Sequence, residues 1–278
     1  MIIELFGAPG AGKTTFAQAL ATRLRGNGQT VDLMLSYRPA ENSPATDMHD
    51  HQVSPVLRRL ARPLAETLTM VRHPVSFSHH LSAAQDLIKT MPPSHILWRL
   101  RLAQYLSRLS RAWSQALKAE HIVLFDQAFV QAVCSLALLC ESSNQRLISR
   151  ALDKSPEADL LVLLQAPADV LEARLCERQQ HESRMERLLE FDLATNLRSS
   201  AVIDCMLELL LSKGRQVAIV TSLDQHSLQD GLESIERQVA AQFSSQRRTA
   251  RSGNPADIDS LKADRQLAIP TQPLVEEG

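Results

Sequence analysis

The amino-acid sequence predicts an α/β fold, a three-layer sandwich in which helices cover both faces of a five-stranded parallel sheet. Short apolar runs alternate with segments of helical periodicity, and continuous apolar strands are typical of parallel sheets that are buried on both faces. The first run leads into a glycine-rich loop and then a helix, a βα beginning that also favours this class. The runs are 2–6, 31–35, 122–125, 160–164 and 216–220.

Length and composition narrow the function classes. The 278 residues can bury a sizeable core, and the formal net charge of −1 predicts neither a nucleic-acid nor a membrane partner. No apolar run reaches the length of a membrane span. The four cysteines occur without a C-x-x-C pair, and the N-terminal strand leaves no room for a signal peptide. We therefore expect a cytoplasmic protein.

The glycine-rich loop carries the clearest chemical signal. Residues 7–14 fit the phosphate-binding pattern G-x-x-x-x-G-K-[ST], between a predicted strand and a predicted helix. In this pattern backbone N–H groups surround phosphate oxygens, Lys13 binds the β- and γ-phosphates, and the Thr14 hydroxyl holds Mg²⁺. The pattern predicts ATP and Mg²⁺ as cofactors. The predicted nucleotide-binding residues are Gly7, Ala8, Pro9, Gly10, Ala11, Gly12, Lys13, Thr14 and Thr15.

Two further features favour phosphoryl-transfer chemistry. Asp126 ends an apolar strand, where it would supply a second Mg²⁺ ligand beside Thr14; an ordinary solvent-facing aspartate is the alternative. Arg174 and Arg178 share one helix face, and with Arg184 they could neutralise a transferred phosphoryl group from a closing segment. A solvated helix with Glu–Arg pairs would show the same pattern, so both interpretations stay open.

Taken together, these residues resemble the thymidylate kinase and deoxynucleoside kinase branch of the P-loop nucleotide kinases. The resemblance covers residues 1–243 and implies the strand order 2-3-1-4-5. It also implies an acceptor region at 36–118, a lid at 178–187, and a turn at 221–225 that lies against adenine. Beyond the last predicted helix, the composition of 244–278 predicts a disordered tail.

The acceptor is not specified by the sequence. The family usually has Asp-Arg or Glu-Arg after the third strand, whereas here Gln127 follows Asp126. Arg38, after the second strand, and Arg101, on an arginine-rich helix face, are further candidates for acceptor binding; a solvated face is the alternative for Arg101.

The predicted function is an ATP- and Mg²⁺-dependent phosphotransferase that acts on a small-molecule acceptor. Its predicted catalytic residues are Lys13, Asp126, Arg174, Arg178 and Arg184. The alternatives are an ATPase that regulates or assembles a protein partner, and a catalytically silent nucleotide-binding module. The oligomeric state stays open, with a homodimer as one option.

Overall fold

The structure is a computed structural model, and it describes residues 1–36, 78–140, 144–181 and 193–252. Within these ranges the chain forms five strands and eight helices. The strands are β1 (Ile2–Gly7), β2 (Val31–Met34), β3 (Ile122–Phe125), β4 (Leu160–Gln165) and β5 (Val217–Thr221). The helices are α1 (Lys13–Gly26), α2 (Ser78–Thr90), α3 (Ile96–Ala116), α4 (Phe129–Leu139), α5 (Gln145–Asp153), α6 (Ala168–His181), α7 (Leu193–Ser212) and α8 (Gln225–Ser252).

All five strands form one parallel sheet in the order β2-β3-β1-β4-β5, which confirms the predicted fold class and strand order. The central strand β1 is buried along its whole length between β3 and β4. Helices α1 and α8 pack together on one side of the sheet, and α3, α4 and α7 pack together on the other. Because parallel strands all end at the same edge, the segments that follow them meet there.

Aromatic packing fixes the helices of the second layer against this edge. The Trp113 ring on α3 lies 5.1 Å from the ring of Phe125, the last residue of β3. It also lies 5.3 Å from the ring of Phe129, the first residue of α4, in an edge-on arrangement. These contacts pack α3 against both ends of the turn that carries Asp126. None of the described helices is long and apolar enough to cross a membrane.

Helix α8 continues to Ser252, past residue 244, where the sequence analysis places the start of a tail. Residues 244–252 contain neither proline nor glycine, so nothing in this segment ends a helix that is already formed. Gly253 and Pro255 follow immediately, and both residues disfavour continuation. The remainder of the predicted tail, 253–278, lies outside the described residues.

Candidate nucleotide and acceptor site

The loop between β1 and α1 has the backbone shape that the glycine pattern predicts. A Cβ atom on Gly7 would lie 2.4 Å from the carbonyl oxygen of Leu164 in β4, so only glycine fits there. Gly12 precedes α1 with a left-handed φ of 85°. No described side chain caps this helix N-terminus, and its first turn contains no acidic residue. The positive end of α1 therefore suits an anion at the loop.

Lys13 lies over the same loop. Its side chain is buried, and its Nζ atom donates hydrogen bonds to the carbonyl oxygens of Gly7, at 2.8 Å, and Ala8, at 2.9 Å. These contacts hold the ammonium group at the turn where the helix N-terminus also points. Phosphate oxygens would be stronger acceptors for this cation than neutral carbonyl groups are.

Asp126 follows β3 and is fully buried, and it receives hydrogen bonds from two other chain segments. The Thr14 hydroxyl donates to Oδ2 over 2.9 Å. The Ser36 N–H donates to Oδ1 over 2.6 Å, and the Ser36 hydroxyl donates to Oδ2 over 3.1 Å. The two predicted metal ligands, 112 residues apart in the chain, are thus adjacent. A hydroxyl and a carboxylate fit Mg²⁺, which takes oxygen ligands.

Ser36 is a site residue that the sequence analysis missed. It directly follows the second apolar run, 31–35, and the sequence offers no pattern that marks it. Its two hydrogen bonds to Asp126 appear only because β2 and β3 are parallel neighbours that end together. In the structure Ser36 fixes the orientation of the Asp126 carboxylate.

Arg174 on α6 joins the nucleotide loop to the segment after β5. Its Nη1 atom donates to the Gly10 carbonyl oxygen and to the Ser222 hydroxyl, both over 3.3 Å. Its Nη2 atom donates to the Leu223 carbonyl oxygen over 3.1 Å. Ser222 and Leu223 belong to the turn that the resemblance places against adenine. The half-buried arginine thus connects the predicted phosphate and adenine regions of one site.

Two polar residues beneath the loop were also missed. Glu4 is fully buried in β1, and its Oε1 atom accepts a hydrogen bond of 2.6 Å from the Val130 N–H in the first turn of α4. Burial raises the pKa of this carboxyl group to about 8. Gln131 accepts a hydrogen bond of 3.1 Å from the Gly7 N–H through its Oε1 atom. The sequence marks only the first of these two residues, because Glu4 is a charged residue inside an otherwise apolar strand.

The remaining predicted residues are only partly located. Arg101 lies on the exposed side of α3, with its guanidinium carbon 5.2 Å from the centre of the Trp98 ring. Gln127 follows Asp126 in the turn before α4 and is partly buried. Arg178 falls within α6, but its side chain lies outside the described part of the chain, as do Arg38 and Arg184. Roles for these residues stay predictions.

The glycine loop that opens α1, its lysine and threonine, and the parallel 2-3-1-4-5 sheet define a P-loop NTPase fold. Two solved structures of deoxyadenosine kinase from M. mycoides resemble the chain. The one with bound dATP has a TM-score of 0.45 and 15% identity, and the alignment covers 86% of this chain and 100% of that one. The one with the products dCMP and a flexible dCDP has a TM-score of 0.45 and 16% identity, and the alignment covers 87% and 99%.

No family model matches the chain, and no curated protein does. The class of fold therefore rests on the sheet order and on the loop.

Proposed function

We propose that this protein is an ATP- and Mg²⁺-dependent phosphotransferase that transfers the γ-phosphoryl group of ATP to a small-molecule acceptor. The observation that carries the proposal is the 2.9 Å contact between the Thr14 hydroxyl and Asp126, next to a lysine held over a glycine loop. A phosphate-binding loop alone supports nucleotide binding. A paired hydroxyl and carboxylate beside it support a metal-bound triphosphate.

In this proposal, different residues of the site bind the triphosphate, hold the metal ion and stabilise the charge of the transferred group. The loop N–H groups and Lys13 would bind the β- and γ-phosphates, and Thr14 and Asp126 would hold Mg²⁺. The metal ion, when bound, neutralises charge on the phosphate oxygens. Arg174 would hold the nucleotide loop and the adenine-side turn together. Arg178 and Arg184 are candidates to neutralise the negative charge of the transferred phosphoryl group.

For the acceptor, the proposal names candidate contact residues but no specific molecule. Arg38, Arg101 and Gln127 are the candidate acceptor contacts, and Asp126 is the candidate general base if the acceptor reacts through a hydroxyl group. Thymidylate kinase-like or deoxynucleoside kinase-like specificity is part of the proposal, as is the cytoplasmic location. The oligomeric state stays open, with a homodimer as one option. The resemblance of the loop and of the strand that ends in Asp126 supports the kinase branch.

A measurement of ADP release distinguishes this function from its alternative, a regulatory ATPase. The purified protein is incubated with MgATP, with and without each member of a panel of nucleosides, nucleotides and sugars. A kinase releases ADP much faster when its acceptor is present. A regulatory ATPase releases ADP at the same rate throughout the panel, and this result would refute phosphoryl transfer to a small molecule.

The variant Lys13→Ala tests the nucleotide half of the proposal. We expect it to lower ADP release at least about a hundredfold, because one preorganised charge is lost where the transition state gains charge. The exposed Lys118 supplies the matched control, since Lys118→Ala removes the same charge far from the loop. Circular dichroism should show both variants folded. Wild-type turnover by a folded Lys13→Ala variant would contradict the mechanism.

A further inference from the structure

The first glycine of the nucleotide loop lies beyond the end of a neighbouring strand. On one side, β1 pairs with β3 only as far as Glu4, which is opposite Phe125, the last residue of β3. On the other side, β1 pairs with β4 up to Gly7, which is opposite Leu164. The end of β1 therefore has a strand neighbour on the β4 side alone. A buried backbone group that points the other way there needs a different partner.

The Gly7 N–H is such a group. The Val123 N–H of β3 donates to the Met1 carbonyl oxygen, and backbone groups alternate in direction along a strand, so those of odd-numbered residues in β1 point toward β3. Beyond the end of β3, the Gly7 N–H donates instead to Oε1 of Gln131 on α4, over 3.1 Å. This hydrogen bond is buried, and it supplies the acceptor that a longer β3 would have supplied.

The carbonyl group of the same glycine is also bound by a side chain. The Lys13 Nζ atom, from α1, donates to the Gly7 carbonyl oxygen over 2.8 Å. The two polar groups of Gly7 are thus held by side chains from two different helices. When phosphate oxygens take over the lysine ammonium group, the hydrogen bond from Gly7 to Gln131 still fixes this part of the loop.

The segment that supplies Gln131 also supplies the metal-side carboxylate. Asp126 directly follows β3, and Gln131 lies in the first turn of α4. In the opposite direction, the Val130 N–H donates to Oε1 of Glu4 in β1 over 2.6 Å. A side chain of β1 therefore holds the start of α4, and a side chain of α4 holds the end of β1. These two hydrogen bonds fix the glycine loop relative to the turn that carries Asp126.

We propose that Gln131 is a positioning residue of the nucleotide site, whose amide oxygen holds the Gly7 N–H so that the loop has its phosphate-binding shape before the nucleotide arrives. The inference rests on the proposed function, because it concerns how that enzyme binds the phosphates of ATP. Gln131 acts through Gly7. A loop that is already ordered loses less conformational entropy on binding, so this hydrogen bond increases affinity for the phosphate groups.

The variant Gln131→Met tests this role, because methionine has nearly the same length and no amide oxygen. The control is Ser135→Ala on the same helix, which removes a hydroxyl group that donates to the main-chain carbonyl oxygen of Gln131 over 3.1 Å. Calorimetry measures the dissociation constants of MgADP and of AMP for the full chain. AMP lacks the β-phosphate, so its binding reports mainly on contacts outside the loop.

We expect wild type to bind MgADP more tightly than AMP. Gln131→Met should weaken MgADP binding about tenfold, the effect of one hydrogen bond, and leave AMP binding unchanged. Ser135→Ala should bind both ligands as wild type does. A merely structural role for Gln131 would weaken the binding of both ligands by the same factor or of neither, and either result would overturn the inference.

Amide hydrogen exchange of the wild-type protein gives a second test, which does not depend on the folding of a variant. The Gly7 N–H should be as protected in the free protein as the other amides of β1, and MgADP should change this protection little. Rapid exchange at Gly7 until MgADP binds would overturn the inference and leave the proposed function intact. If wild type binds no MgADP, both the inference and the proposed function fail.

Discussion

The buried carboxyl group of Glu4 predicts a stability that falls as pH rises. In the unfolded chain this group ionises near pH 4.5, whereas in the folded protein burial raises its pKa to about 8. Between these values the folded state binds more protons than the unfolded state, so the free energy of unfolding decreases with pH. The contribution is fully present below the unfolded pKa and is lost as pH rises through the folded pKa.

The magnitude follows from the two pKa values. From pH 5 to pH 8, this group alone should lower the free energy of unfolding by about 3 to 4 kcal/mol. Glu4→Gln stays neutral at every pH and can still accept the hydrogen bond from the Val130 N–H. Relative to wild type, the variant should therefore gain stability by that amount as the pH is raised from 5 to 8.

Urea unfolding followed by circular dichroism at several pH values in this range measures the difference directly. The exposed residue Glu120 gives the control, since Glu120→Gln removes a carboxyl group that solvent already surrounds. This control should leave the pH dependence of wild type unchanged. If Glu4→Gln also keeps the wild-type pH dependence, the carboxyl group ionises normally in the folded protein and the reasoning from burial is wrong.

Two other substitutions test the geometry of the loop and of the metal-side carboxylate. Gly7→Ala should cost at least about 2 kcal/mol in urea unfolding, because its Cβ would meet the Leu164 carbonyl oxygen. Gly26→Ala, with nothing within 4 Å of the added Cβ, should be neutral or slightly stabilising, and a similar loss in both variants would refute the clash. Ser36→Ala removes one hydrogen bond to Asp126 and should weaken ADP binding about tenfold in Mg²⁺ but not in EDTA. Equal weakening of ADP binding in both buffers would show that Ser36 does not act through Mg²⁺ binding.

The fold class could be predicted from the sequence because the patterns that specify it involve residues that are close together in the chain. Continuous apolar runs identify buried parallel strands, and the spacing of Gly7, Gly12, Lys13 and Thr14 requires one loop shape before a helix. Composition alone predicts a tail from residue 244 and does not mark the end of α8 at Ser252, which Gly253 follows.

The sequence by itself determined the parallel α/β class and the nucleotide loop, because both depend on residues that are adjacent or regularly spaced. The tertiary structure alone decided which distant side chains meet. It placed Ser36 and Thr14 on Asp126, and the Val130 N–H on the buried carboxyl group of Glu4. Such contacts follow from strand order and helix packing, which bring together segments that no sequence spacing relates.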